Sequence, residues 1–121
     1  MQGLEWVFSI ILAIVFLLTG VIRAFRVDQA RDRFKWAREI PRPLVQFIGI
    51  FEILGALGLI LPVATGLYPW LTPIAAAGLA MLMFMAATFH TQRRETSEAT
   101  VNLLLLVLLV LVAYIRWPLL P

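Results

Sequence analysis

Four long apolar stretches constrain the fold of this 121-residue chain more than any other feature of its sequence. They cover residues 4–22, 43–61, 73–89 and 99–115, and at about 1.5 Å per helical residue each can cross a hydrocarbon core of about 30 Å. Because 62% of the residues are hydrophobic and only 14% are charged, a soluble domain of this size could not bury so much apolar surface. The sequence predicts an all-α membrane protein in which residues 1–121 form one antiparallel four-helix transmembrane bundle.

Basic residues are concentrated on one side of these stretches. The first and second stretches are joined by a segment that holds seven of the ten Lys and Arg residues, and Arg93 and Arg94 follow the third stretch. Residues 62–72, between the second and third stretches, carry no charge. The positive-inside rule therefore predicts that both basic connections are cytoplasmic and that both chain termini lie outside.

The first basic connection has the pattern of a helix of its own. Val27, Ala30, Phe34 and Ala37 recur at three- and four-residue spacing, with charged residues between them. This pattern predicts a short amphipathic helix over about residues 28–39 at the membrane surface, with Trp36 near the headgroups. Contact with anionic lipids and docking of a partner protein are both open as its role.

Proline and hydroxyl residues predict where the spanning helices begin and end. Pro62 should close the second helix, and Thr72 followed by Pro73 should cap the start of the third. Thr96 or Ser97 should cap the start of the fourth.

Glu52 is the only charged residue of the second stretch, and it lies at its centre. An ionised side chain at mid-membrane costs about 3 kcal/mol on insertion scales, so Glu52 should face protein or water. Polar residues of all four stretches repeat on stripes with a 3.5-residue period, which in a helix bundle face the common axis. The stripes run through Glu5, Ser9, Leu12, Phe16, Thr19 and Arg23 in the first stretch; Val45, Gly49, Glu52, Ala56 and Leu59 in the second; Ala76, Ala80, Met83, Ala87 and His90 in the third; and Asn102, Leu106, Leu109, Ala113 and Arg116 in the fourth.

The depth of these residues predicts a polar funnel. Thr19, Arg23, His90 and Asn102 lie near the cytoplasmic helix ends, and Glu52 lies at the floor near mid-membrane. The candidate ligand-binding residues are Glu52, His90, Asn102, Thr19, Arg23 and Gly49, whereas Glu5 and Arg116 are expected to form an ion pair at the other end.

Structural alternatives to ligand binding remain open for each of these polar residues. A protonated Glu52 could serve as interhelical glue, Asn102 as a helix-pairing residue and His90 as an interfacial residue. Arg23 and Arg116 could be interfacial anchors.

The residue types present exclude several chemistries. There is no cysteine for disulfide exchange, iron–sulfur clusters or thiolate metal sites, and a single histidine cannot supply two haem ligands. Met83 faces away from Met81 and Met85 on a helix, so these three do not form a copper site. No catalytic or metal-ligating residue is assigned, and the sequence leans against an enzyme.

Residues 49–62, with the sequence GIFEILGALGLILP, carry a glutamate among regularly spaced glycines. Together with Gly20 and Arg23, Phe89 and His90, and Asn102, this segment resembles the DoxX-like family of small membrane proteins. The resemblance covers essentially the whole chain. It implies a four-helix bundle in the prokaryotic cytoplasmic membrane and an accessory or partner-organising role beside quinone-linked redox complexes.

Three functional hypotheses are compatible with the sequence. In the first, a non-enzymatic accessory protein without an intrinsic cofactor binds a quinone or another lipid in the funnel, or supports a membrane redox partner. In the second, the protein is a proton-linked carrier or channel for a small solute, and Glu52 is the titrating group. In the third, it is a structural membrane chaperone or scaffold. Small residues around Gly55 and Gly58 would also allow homo-oligomers, and no nucleic-acid partner is expected.

Overall fold

The computed structural model describes residues 2–120, and these residues are helical with no strand among them. In chain order the helices are α1 (Gln2–Phe25), α2 (Val27–Arg33), α3 (Lys35–Arg38), α4 (Arg42–Thr65), α5 (Leu71–Gln92) and α6 (Thr96–Ile115), followed by a 3-10 turn at Trp117–Leu119. By length and composition, α1, α4, α5 and α6 can each cross a membrane. The predicted all-α fold with four membrane-length helices is confirmed, and the helices extend beyond most of the predicted boundaries.

Two helix pairs make up the structure, because α1 packs mainly against α4 and α5 mainly against α6. The backbones of α1 and α4 approach closely where Gly20 lies beside Gly49. A Cβ atom added at Gly49 would lie 2.5 Å from the nitrogen of Ala24 and 2.7 Å from the carbonyl oxygen of Gly20. Only residues without a side chain allow this approach. Gly49, a candidate ligand residue in the sequence, therefore serves to pack α4 on α1.

The end of α4 differs from the sequence prediction, because the helix continues past Pro62 to Thr65. A proline has no N–H for the carbonyl one turn earlier, which here belongs to Gly58. Thr72 Oγ1 donates a hydrogen bond of 2.9 Å to that carbonyl oxygen. Thr72 is thus a buried residue inside α5 that completes the bonding of α4, and not a helix cap. The chain leaves α4 at Gly66, whose φ of 74° lies in the left-handed region.

The start of α6 also differs from the prediction. The helix begins at Thr96, its N-cap position is Glu95, and no side chain makes a capping hydrogen bond there. Neither Thr96 nor Ser97 is the cap, because both lie within the first turn. Glu98 is in that turn as well, where a negative charge is favourable near the helix N-terminus.

The predicted amphipathic helix over residues 28–39 is instead two short helices. The backbone is extended at Phe34, with φ −117° and ψ 118°, and this residue separates α2 from α3. The break allows both short helices to turn their apolar side chains onto the spanning helices, where Ala30 and Ala37 are fully buried. Trp36, expected near the headgroups, is only 9% exposed and packs in the same cluster. The segment therefore covers one end of α1, α4 and α5.

The inward-facing stripes are confirmed for α4 and α5, where every predicted position is buried. These positions are Val45, Gly49, Glu52, Ala56 and Leu59 on α4 and Ala76, Ala80, Met83, Ala87 and His90 on α5. Leu12 and Phe16 of α1 and Leu109 of α6 complete the apolar core. The core fills the space between Glu52 and the end of the structure opposite α2 and α3, which leaves the polar residues close to the covered end.

Candidate functional site

Glu52 is 1% exposed, and both of its carboxylate oxygens lie next to polar groups of α1. Arg23 Nη1 donates a hydrogen bond of 2.7 Å to Oε1. Thr19 Oγ1 lies 3.2 Å from Oε2 and 3.0 Å from the carbonyl oxygen of Val15, and its single hydrogen can serve one of them at a time. The close approach of α1 and α4 at Gly20 brings these groups within reach. The charge of Glu52 is thus balanced inside the first helix pair.

Arg23 has further bonding capacity beyond Glu52. Its guanidinium carbon lies 5.0 Å from the ring centre of Trp36 and 5.6 Å from that of Phe34, which are cation–π distances. Its Nε is buried and has no hydrogen-bond partner within residues 2–120. An unpaired buried donor costs about 1–3 kcal/mol, so a ligand oxygen that accepted from it would be stabilised.

The turn after α5 folds back onto His90. Arg94 adopts a φ of 60°, in the left-handed region. The N–H of Glu95 donates to the carbonyl oxygen of His90 at 2.8 Å, and the N–H of Arg94 donates to that of Thr91 at 3.1 Å. This is the Schellman pattern of a helix C-terminus. It brings the Glu95 carboxylate to the imidazole, where Oε1 lies 2.8 Å from His90 Nδ1.

Glu95 is held as a carboxylate by its neighbours. Arg93 donates to both of its oxygens, from Nε to Oε1 at 2.8 Å and from Nη2 to Oε2 at 3.4 Å. Hydrogen bonds from Arg93 and then from His90 lower the pKa of Glu95 below its usual range. Arg93 also forms an ion pair with Glu39 at the end of α3, which links this turn to the segment that covers the site.

The polar side chains line one cavity of about 280 Å³. Every spanning helix contributes to it: Thr19 and Arg23 from α1, Glu52 from α4, His90 from α5 and Asn102 from α6. Its apolar wall includes Val15, Phe16, Phe34, Trp36, Met83, Val101 and Leu105. Five of the six candidate ligand residues thus meet at one cavity, whereas Gly49 does not line it.

A second cavity of about 280 Å³ adjoins the first and shares Arg23, Trp36, Met83, His90 and Asn102 with it. The first cavity reaches between α1 and α6, and the second reaches between α4 and α5, along a wall of Leu44, Ile48, Leu82, Met85, Ala86 and Phe89. Each volume is close to the lower end of the range for small-molecule sites, about 300 Å³. Polar groups at the centre are therefore flanked by two apolar extensions.

The donor set of the cavity suits an organic headgroup. Arg23 and Asn102 can donate hydrogen bonds to carbonyl or hydroxyl oxygens, and Asn102 and a neutral His90 can also accept. Within residues 2–120, no three His, Asp or Glu side chains cluster as the ligands of a metal ion would.

Several residues of the site are not among the candidates from the sequence: Trp36, Glu95 and the lining residues Ser97 and Glu98. Trp36 lies between Arg23 and His90, with its ring centre 5.7 Å from that of His90. The spacing of apolar residues around Trp36 predicts one apolar face of a helix, but it does not predict which part of the protein this face covers. Glu95 lies in a turn, where hydrophobic periodicity predicts nothing. The one local signal for its contact with His90 is its position, five residues after His90 at the end of a helix.

Glu5 and Arg116 lie together at the opposite end of the long helices. Arg116 Nη1 is 3.1 Å from Glu5 Oε2, and the guanidinium carbon is 5.4 Å from the ring centre of Trp6. This is the pairing that the sequence suggests. It lies away from the cavity, beyond the apolar core.

Comparison with known sequences supports the resemblance described above. The sequence model of the DoxX-like family matches residues 7–112, a range that contains every residue of the cavity. Comparisons with curated proteins and with solved structures give no match. Because the family match extends over most of the chain, and four helices have the length and composition of membrane spans, this integral membrane protein belongs to the DoxX-like family.

Proposed function

We propose that this protein binds a lipid-soluble small molecule with a polar, quinone-like headgroup in the cavity beside Glu52, as an accessory protein of the membrane. The observation that carries this proposal is the convergence of polar side chains from all four spanning helices on one cavity with apolar walls. Small-molecule sites combine these two properties. Apolar walls bury most of the ligand surface, and a small number of polar groups fix the orientation of the ligand.

The chemistry of the cavity favours a neutral headgroup with oxygen atoms. Arg23 carries a positive charge, but the Glu52 carboxylate at 2.7 Å balances it. An anionic ligand would therefore have to compete with Glu52 for the same guanidinium. A carbonyl or hydroxyl oxygen needs only a hydrogen bond, which Arg23 and Asn102 can donate.

The apolar extensions of the two cavities suit the tail of such a molecule. One opens toward the seam between α1 and α6 and the other toward the seam between α4 and α5. Both seams face the hydrocarbon when the four helices span a membrane, so a ligand could enter sideways from the lipid without crossing water. The protein would then hold or present a redox-active lipid to a membrane partner, since its own residues supply no redox group.

The two alternatives make different demands on Glu52. A proton-linked carrier needs a carboxylate that binds and releases its proton during transport, and Glu52 would have to break its hydrogen bond with Arg23 Nη1 in each cycle. A scaffold needs no cavity. The scaffold does not account for the polar groups of His90 and Asn102 at the same cavity.

A binding experiment with matched variants tests the proposal. The purified protein in lipid nanodiscs is titrated with a short-chain ubiquinone, and adducts are counted by native mass spectrometry. Glu52→Gln and Asn102→Leu should weaken binding by about tenfold, which corresponds to about 1.4 kcal/mol. Glu5→Gln is the control, because it perturbs a similar ion pair at the far end.

The outcome separates ligand binding from structural roles. Equal binding by wild type, Glu52→Gln and Asn102→Leu would place the ligand elsewhere. No binding by folded wild type would remove quinone-like headgroups from consideration and favour the scaffold.

A further inference from the structure

The hydrogen bond between His90 and Glu95 determines which ring nitrogen of His90 is available to the cavity. Nδ1 of His90 lies 2.8 Å from Glu95 Oε1. An ionised carboxylate can only accept hydrogen bonds, so a neutral imidazole in this contact carries its hydrogen on Nδ1. The second nitrogen, Nε2, is then left with a lone pair and is an acceptor.

His90 is 5% exposed, and its one side-chain hydrogen bond within residues 2–120 is made by Nδ1. Nε2 is not among the fully buried atoms that lack a partner, so it is open to the cavity. His90 lines both cavities, while its Nδ1 is engaged by the turn after α5. The acceptor is therefore the polar atom that His90 can offer to an occupant. Arg23, across Trp36 from His90, can only donate.

We propose that the cavity selects the reduced, hydroxyl-bearing form of a quinone-like headgroup, whose hydroxyl donates to His90 Nε2 while its oxygens accept from Arg23 and Asn102. This inference rests on the proposed function and narrows its ligand class. An oxidised quinone has only carbonyl acceptors and would leave Nε2 without a donor.

In this arrangement Glu95 is a positioning residue. It touches no ligand, but it fixes the tautomer of His90 and thereby makes Nε2 an acceptor. The Schellman turn and the Arg93 side chain hold Glu95 in place from outside the spanning helix. A residue in the aqueous turn thus sets the hydrogen-bonding character of a site between the helices.

The inference applies to the neutral imidazole, because an imidazolium would donate from both nitrogens. The charged groups that face His90 come from the turn after α5 and from the lining of the shared cavity, and they are Glu95, Arg93, Arg23, Glu52 and Glu98. Glu52 and Glu95 each have an arginine partner.

The single histidine of the chain makes the tautomer directly measurable. In protein labelled with 15N-histidine and held in nanodiscs near neutral pH, the ring signals of His90 should show a protonated Nδ1 and an unprotonated Nε2. Short-chain ubiquinol, added under reducing conditions, should shift the Nε2 signal. Ubiquinol should also bind about threefold to tenfold more tightly than ubiquinone of the same chain length, the effect of one hydrogen bond.

Two variants test the role of Glu95. In Glu95→Ala the imidazole hydrogen of His90 should no longer be held on Nδ1. The ratio of the affinities for quinol and quinone should then be close to one. Glu39→Ala is the matched control, since it removes the other carboxylate partner of Arg93 and leaves the contact between His90 and Glu95 intact. It should retain both the tautomer and the preference.

Several results would overturn the inference, and they do not depend on the folding of a variant. An imidazolium or an Nε2-protonated ring in wild type, equal affinities for quinol and quinone, or tighter binding of quinone would each refute it while leaving the cavity as a binding site. Failure of both forms to bind would instead refute the proposed function, and the inference with it.

Discussion

Replacing Glu52 with leucine would reveal whether the Arg23–Glu52 pair is kept for stability or for binding. Glu52 and Arg23 are 1% and 15% exposed, and their hydrogen bond is 2.7 Å long. Glu52→Leu would leave the guanidinium in largely apolar surroundings without its countercharge. Removing one partner of a buried pair costs about 3–5 kcal/mol, and because the cavity lets water reach Arg23 we expect the lower end of this range, about 3 kcal/mol.

The double variant Arg23→Met/Glu52→Leu removes both charges and keeps similar side-chain volumes. Replacing a buried ion pair with apolar residues is often neutral or stabilising. We therefore expect the double variant to unfold within about 1 kcal/mol of wild type, which makes it more stable than the single variant by about 2 kcal/mol. In the same variant, binding of short-chain ubiquinone should be lost, because the donor of Arg23 is gone.

Unfolding in mixed micelles, titrated with sodium dodecyl sulfate and followed by tryptophan fluorescence, measures both free energies. Trp36 packs on Arg23 and reports on the site directly. If the double variant is as unstable as Glu52→Leu, the argument that the fold does not need this pair is wrong. If the double variant still binds ubiquinone like wild type, the pair has no part in the site.

Three further predictions concern particular contacts. Gly49→Ala should destabilise the protein by about 1–3 kcal/mol, because its Cβ would lie 2.5 Å from a backbone nitrogen, whereas Gly78→Ala, which meets only a side chain at 3.4 Å, should be neutral or stabilising by up to about 1 kcal/mol in the same unfolding assay. Thr72→Val should cost about 1–3 kcal/mol by leaving a carbonyl oxygen unpaired, and adding Pro62→Ala should recover most of this loss by restoring the missing N–H; absence of rescue would contradict the explanation. Because the pKa of Glu95 is lowered in the folded protein, its hydrogen bonds contribute stability above pH 4.5, the ordinary pKa of a glutamate. This contribution is lost as the pH falls through the lower pKa of Glu95 in the folded state. Amide hydrogen exchange in the turn after α5, corrected for its intrinsic pH dependence, should show this loss in wild type, and an equal loss in Glu95→Gln would refute the assignment.

Much of the fold could be predicted because the length of each apolar stretch and the spacing of the residues on its inward face can be read directly from the sequence. The 3.5-residue stripes place Thr19, Arg23, Glu52, His90 and Asn102 on inward faces, and the distance of each residue from its helix end gives its approximate depth. Neither the face of the helix on which a residue lies nor its distance from the helix end changes when the helices pack together. This is why five residues chosen from the sequence line one cavity in the structure.

Predictions that rest on a single local rule are wrong where a neighbouring helix intervenes. Pro62 does not end α4, because Thr72 from α5 supplies the bond that proline cannot make. Gly49 is packed where α1 touches α4, a contact that no local rule predicts, and its part in a ligand site stays a prediction. Trp36 is expected near the headgroups, but a break at Phe34 turns its side chain onto the long helices. Each outcome depends on a contact between distant parts of the chain.

The pairing of α1 with α4 has a consequence for how the protein is made. Arg23, Thr19 and Glu52 all belong to this first pair, so their contacts require nothing from α5 or α6. During membrane insertion the carboxylate can therefore be neutralised as soon as α4 has left the ribosome. The half-synthesised chain need not hold an isolated charge in lipid while it waits for its second half, and the later helices only enclose a pair that already exists.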